Sequence, residues 1–220
     1  MNERALPIIQ KAFACAPTLA GVIDARASYK VYEARSRLLA SGEALTSAYL
    51  IIEGRAHEMA LALDGRAVLM QEFGPGDLFG EATILGEHVS TEEVIAIQTT
   101  EAGQFRSADL IALIENYSCV ALAFSRLMTQ RLRQTRRRLV EGATLSAAGR
   151  IHAELLRQAR AGGDNQIRPA PVLTEFALLV QSTRETVSRT IGQLEKRGII
   201  TRDAQALTVV APHRLEELIY

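Results

Sequence analysis

A chain of 220 residues can hold two small domains, and 48% hydrophobic residues are enough to give each a core. Twenty-five Lys/Arg balance 25 Asp/Glu, so net charge alone points to no partner. No run of about 18 apolar residues is present, no basic segment leads into a long apolar one at the start, and Cys15 and Cys119 are too few for a disulfide framework, which together predict a cytoplasmic protein off the membrane.

Residues from Pro7 to about Ala27 read as an amphipathic helix, with Ile8, Ile9, Phe13 and Leu19 available to pack. Beyond Tyr29 the pattern shortens. Leu38-Leu39, Tyr49–Ile52, His57–Leu63, Ala67–Phe73 and Val94–Ile97 are strand candidates. Ser41-Gly42-Glu43, Glu53-Gly54, Asp64-Gly65 and Gly74–Asp77 separate them as turns. Short strands without helical crossovers describe an antiparallel barrel or jelly roll. Helix resumes at Ser107-Ala108-Asp109, breaks near Asn116-Tyr117-Ser118, and then runs to about Val140. Along that long helix Phe124, Met128, Leu132, Thr135 and Leu139 recur at steps of three or four, a seam suited to a second copy of the helix. The other reading of the seam is a helix lying on its own domain.

Glu141–Ser146 is the expected hinge, followed by a helix over Gly149–Arg160 and a Pro-rich link at Arg168–Pro171. Thr174 is placed to cap a short helix through Val180, and Thr183 to cap a second, ended by Gly198. In the second helix Val187, Ile191 and Leu194 form the apolar stripe, while Arg184, Glu185, Ser188 and Arg189 fall off it. Two short helices joined at Gln181-Ser182 make a helix-turn-helix, and the strands Ile199–Thr201 and Ala206–Val210 make a wing. Arginine suits guanine O6/N7 and glutamate the cytosine amine, so the exposed face points to base reading. A surface helix laced by Arg/Glu pairs is the bland alternative. Charge supports the first: residues 1–118 carry nine Lys/Arg against 16 Asp/Glu, whereas residues 119–149 carry six against one. No nucleophile elbow, phosphate loop or His/Asp/Glu set at metal spacing suggests an enzyme or a metal site.

Ala40–Glu43, Tyr49–Gly54, Gly76–Glu81, Gly149-Arg150-Ile151 and Arg184–Arg189 resemble the family of the cyclic-AMP receptor protein and the fumarate–nitrate reductase regulator (CRP/FNR). The resemblance implies an α+β chain. It would have an N-terminal antiparallel β jelly-roll, cyclic-nucleotide-binding-like domain over residues 1–117. A dimerisation helix over 118–142 and a winged helix-turn-helix over 143–220 would follow. It further implies a homodimer on a double-stranded DNA palindrome with TGA-containing half-sites, with RNA polymerase as a partner. Thr183, Arg184, Glu185, Thr186, Ser188 and Arg189 would contact the DNA. Gly80, Glu81, Ser90, Thr91, Thr135 and Arg136 would line the effector pocket.

The departures bear on the effector. Cyclic-AMP binders of the family place an Arg-Ser pair about ten residues after the Gly-Glu that matches Gly80-Glu81; Glu87–Val94 has no arginine and two acids, Glu92 and Glu93. Cyclic AMP is therefore not expected, and Arg136 is a candidate substitute cation. One cysteine near the N-terminus, Cys15, argues against an iron–sulfur cluster. His57 and His88 are candidates for a haem ligand in a gas sensor, and Cys119 for an oxidant-sensing thiol. Gln181 replaces the glycine usual in the family's turn. The reading from another class is a nucleotide-binding or interaction module with a vestigial DNA-binding head.

Overall fold

The computed structural model describes residues 2–61, 67–87, 89–91 and 93–220, so Asp64-Gly65, Leu63, His88 and Glu92 lie outside the described residues. By internal contacts the chain divides into two compact units, residues 1–131 and 132–220.

The first unit opens with α1 (Ala5–Phe13) and α2 (Pro17–Asp24), where the apolar pattern suggests one continuous helix. The break has a local cause. Ala14 sits in the left-handed region at φ 46°, and Pro17, which lacks an N–H, takes the first position of α2. Eight strands follow: β1 (Ala27–Tyr32), β2 (Arg37–Leu39), β3 (Ser47–Glu53), β4 (Ala56–Leu61), β5 (Ala67–Phe73), β6 (Leu78–Phe79), β7 (Glu93–Ala96) and β8 (Thr100–Arg106). They pair antiparallel into two four-stranded sheets, β1-β8-β3-β6 and β2-β7-β4-β5.

Alternation along β3 assigns its two faces. Ile51 points into the space between the sheets, with Phe73, Phe79, Val94, Ala96 and Ala102. Leu50 and Ile52 point outward, into a second core shared with Ile9, Phe13 and Ile23 of α1 and α2 and Leu110 and Leu113 of α3 (Ser107–Asn116). Both faces of β3 are thus buried, and helices cover the outer one.

The helix α4 (Ser118–Thr144) follows α3 after Tyr117. Val120 and Ala123 are buried in the outer core, and Phe124 and Leu127 pack partly against it. The expected hinge at Glu141–Ser146 is shorter than its composition suggests. Helix continues to Thr144, and Ser146 already caps α5 (Ala147–Gly162) by accepting the Gly149 N–H at 3.0 Å.

In the second unit α5 is followed by β9 (Gln166–Ile167), α6 (Leu173–Leu179), α7 (Arg184–Lys196), β10 (Ile200–Arg202), β11 (Leu207–Val209) and α8 (Pro212–Glu216). Ile151 and Leu155 of α5, Ile167 of β9, Phe176 of α6, Val187, Ile191 and Leu194 of α7, Ile200 of β10, Leu207 of β11 and Leu215 of α8 make one core from all of these parts. Thr174 lies inside α6 instead of capping it, and Val172 holds the cap position without a side-chain bond. The wing is the antiparallel pair β10–β11, with the Asp203 carboxylate accepting the N–H groups of Gln205 (2.7 Å) and Ala206 (2.8 Å) in the turn. A third strand, β9, joins β11 on its other edge.

Candidate nucleic-acid interface

Helix α7 is held at both ends and along one stripe. At the start, Thr183 Oγ1 accepts the Thr186 N–H at 3.1 Å, as the sequence predicts for an N-cap. At the end, Gly198 adopts φ 63°, and the Ile199 and Gly198 N–H groups donate to the Leu194 and Glu195 carbonyls. This pairing closes the last turn, and the left-handed residue costs glycine little. Val187, Thr190, Ile191 and Leu194 are buried in the core. Rotation of the helix about its axis is thereby fixed.

The opposite face is open. Thr183, Arg184, Glu185, Ser188 and Arg189 are exposed and border one concave stretch of surface. Thr186 is half-buried, and its hydroxyl lies 2.9 Å from that of Thr183, so both threonines serve the cap. Among the described residues, Arg184, Glu185 and Arg189 enter no ion pair or side-chain hydrogen bond. Arg189 and Glu185 stand at i, i+4 and could pair, yet the helix leaves both free. A fixed helix that presents a fork of donors and a carboxylate with nothing attached suits the hydrogen-bonding edges of base pairs in a major groove.

In the turn before α7, Gln181 takes the left-handed backbone conformation. The Ser182 and Gln181 N–H groups donate to the Ala177 (2.9 Å) and Leu178 (3.2 Å) carbonyls, and Gln181 carries φ 52°. That geometry is the one glycine favours at the end of a helix, here adopted by a residue with a Cβ.

The pocket residues expected from the sequence fall into two groups. Gly80 and Glu81 lie together after β6, and Gly80 adopts φ 73° with the Ser47 carbonyl 2.9 Å from where a Cβ would stand. Ser90 is buried, and its backbone pairs with Gly42 and Glu43; Thr91 is exposed. Thr135 and Arg136 belong to the part of α4 in the second unit, and both are exposed there. The cation that does meet Glu81 is Arg131, which in sequence is one of five arginines crowding the end of the long helix, where solvation and the helix dipole would be their ordinary role. Its guanidinium contacts the Glu81 carboxylate and the Leu78 carbonyl and lies over the Phe73 ring, 5.4 Å from its centre. The pair is 14% and 19% exposed, and Glu81 Oε2 and Arg131 Nε remain buried without a hydrogen bond.

Glu93 does not act as the sequence suggests. Val94 and Ala96 are buried between the sheets, so Glu93 stands on the other face of β7, where its carboxylate pairs with Arg37 at 2.7 Å. Repulsion of a ligand anion inside the barrel therefore cannot be assigned to Glu93. His57 is buried on β4, with Nε2 3.7 Å from Glu72 Oε2. Cys15 and Cys119 are free and partly buried, and burial pushes the Cys15 thiol pKa up, which disfavours the reactive thiolate. Along the α4 seam Phe124 and Met128 are half-buried, whereas Thr135 is exposed and Leu132 and Leu139 are 70% and 73% exposed.

Comparison with known proteins accounts for both units. A cyclic nucleotide-binding domain model matches residues 29–117, and a Crp-like helix-turn-helix domain model matches residues 149–218. The cyclic AMP receptor protein of Thermus thermophilus is 28% identical over 203 residues, which cover 90% of this chain and 92% of the relative. A CRP-like cAMP-activated global transcriptional regulator of Mycobacterium tuberculosis is 28% identical over 183 residues, 81% of this chain and 82% of that protein. Among solved structures, FixK2 from Bradyrhizobium japonicum superposes with a TM-score of 0.75 at 21% identity, covering 88% of this chain and 98% of that one, a likeness of fold. With an antiparallel barrel, a long helix and a winged helix-turn-helix in this order, the chain belongs to the CRP/FNR family of transcription regulators.

Proposed function

We propose that the chain is a homodimeric, sequence-specific DNA-binding transcription regulator, controlled by an effector in its N-terminal barrel and acting in the cytoplasm. The observation that carries the reading is the unpaired set Arg184, Glu185 and Arg189 on a helix whose opposite stripe is locked in the core. A vestigial head would have no reason to keep three charged side chains free at base-reading positions. Arg189 takes a guanine and Glu185 the cytosine paired with it, in a TGA core of each half-site; Arg184 adds an outer guanine. Ser188 faces the groove beside them, and Thr183 and Thr186 hold phosphate through the capped helix end.

Dimerisation is supported by the seam on α4, since Leu132 and Leu139 are more than two-thirds exposed within one chain. Two α7 helices then read two half-sites of a palindrome, and RNA polymerase is the downstream partner. The effector is a small molecule other than cyclic AMP. Support comes from Glu87–Val94, which carries no arginine, and from Glu81, one of whose carboxylate oxygens is already engaged by Arg131. Selection of duplexes from a random pool by the full chain tests the reading: a palindrome with TGA in each half supports it, and no enrichment rejects it.

A further inference from the structure

The side chain of Arg150, on the first turn of α5, is spent on backbone carbonyls. Nε donates to the Val180 carbonyl at 2.9 Å, Nη2 to the Gln181 carbonyl at 3.0 Å, and Nη1 to the Leu145 carbonyl at 3.0 Å. The first two flank the left-handed Gln181 in the turn of the helix-turn-helix. The third is the residue directly after α4. Both places are carbonyl ends of helices, α6 and α4, where unpaired C=O groups carry partial negative charge. One planar cation with donors in a fixed fork satisfies both ends at once.

We propose that Arg150 is a positioning residue for DNA reading. It holds the glycine-free turn in its left-handed form and ties that turn to the α4–α5 junction, so that a shift of the chain at Leu145 reaches the start of α7. Two features of the turn support this role. Gln181 is in a backbone region that a residue with a Cβ enters at a cost, so something outside the turn must favour it. The carbonyls on either side of that residue, Val180 and Gln181, meet the same guanidinium. A lysine would offer a point charge without the fork and could not span three oxygens in one plane.

The inference depends on the DNA reading of α7, and the experiment separates the two. Operator affinity is measured for the full-length wild type, Arg150→Gln, Arg150→Lys, Gln181→Gly and Arg150→Gln/Gln181→Gly, using the duplex the wild type selects. Arg150→Gln should weaken binding about tenfold and Arg150→Lys nearly as much, while glycine at 181 should recover a factor of about three or more, since contacting residues couple by that order. Base preference should not change in any variant. Hydrogen exchange of the Gln181 and Ser182 amides reads the turn without DNA. It should speed up in Arg150→Gln and slow again in Arg150→Gln/Gln181→Gly, the glycine holding the turn without the clamp. Additive losses, or exchange in the turn unaffected by Arg150→Gln, overturn the clamp. A wild type that selects no duplex overturns the DNA reading and this role with it.

Discussion

Arg131 closes on Glu81. The guanidinium reaches from α4 to the carboxylate that opens the segment after β6, gives a second N–H to the Leu78 carbonyl, and lies over the Phe73 ring. Both charges are mostly buried, so each depends on the other to offset its lost hydration. Any effector that engages Glu81 must compete with this contact.

Removing one partner of the pair should therefore cost more than removing both. Arg131→Met should lower unfolding stability by about 3 kcal/mol, because Glu81 is left as a buried charge without a cation. Arg131→Met/Glu81→Met should recover at least half of that loss. Urea unfolding followed by far-UV circular dichroism measures it, and a double variant no more stable than the single one would contradict the pairing.

Cyclic AMP at micromolar concentration should leave duplex affinity unchanged. No arginine stands in Glu87–Val94 to hold a cyclic phosphate, and Arg131 is committed to Glu81. Titration calorimetry together with a gel-shift checks this. Saturable binding with a matching gain in duplex affinity would be the opposite result.

Leu132→Glu/Leu139→Glu should convert a dimer into monomers by light scattering. Both leucines are largely exposed in the single chain, so the change should cost little within one protomer, with melting of the helical core nearly unaltered. Duplex affinity should fall at least a hundredfold, because two reading helices are no longer held on one particle. Persistence of the dimer would remove the seam from the account.

Glu72 supplies a pH dependence of known sign. His57 and Arg55 beside it hold its carboxyl at about 2, against the 4.5 of a free glutamate, although partial burial pushes the other way. The folded value lies below the unfolded one, so the stabilisation is complete above pH 4.5 and is lost as pH falls toward 2. With a side chain 35% exposed, solvent screening reduces the contribution to about 1–2 kcal/mol. The stability gap between wild type and Glu72→Gln should be full at pH 6 and shrink steadily below pH 4.5. A gap that is constant with pH would show that the carboxylate is not held there.

The second unit was the more legible in sequence because its signals are local. Thr183, Gly198 and the Val187/Ile191/Leu194 stripe each act within a few residues, and all three hold in the structure. The barrel was legible in outline only. β8 has Thr100, Glu101, Ala102, Gly103 and Gln104 where apolar alternation would announce a strand, yet it lies between β1 and β3 and is held by their ladders. Pairing partners distant in sequence decide such a strand. The same limit hid the real neighbour of Glu81: Arg131 is 50 residues away and sits among other arginines on α4, with nothing local to distinguish it from Arg136. Gln181 shows the reverse case, since a residue out of place in a turn was visible in sequence and its φ of 52° follows.

The central claim, that free side chains on α7 read base pairs, is tested most directly by selection from random duplexes with the wild type, Arg184→Ala and Arg189→Ala. Each bidentate contact should discriminate by about 1–3 kcal/mol against a wrong base. Arg189→Ala should erase the guanine of the TGA core, and Arg184→Ala should relax one outer position while the core stays. Both variants selecting the wild-type motif with merely lower affinity would mean that these arginines hold the backbone, and the reading of α7 as the source of sequence specificity would be wrong.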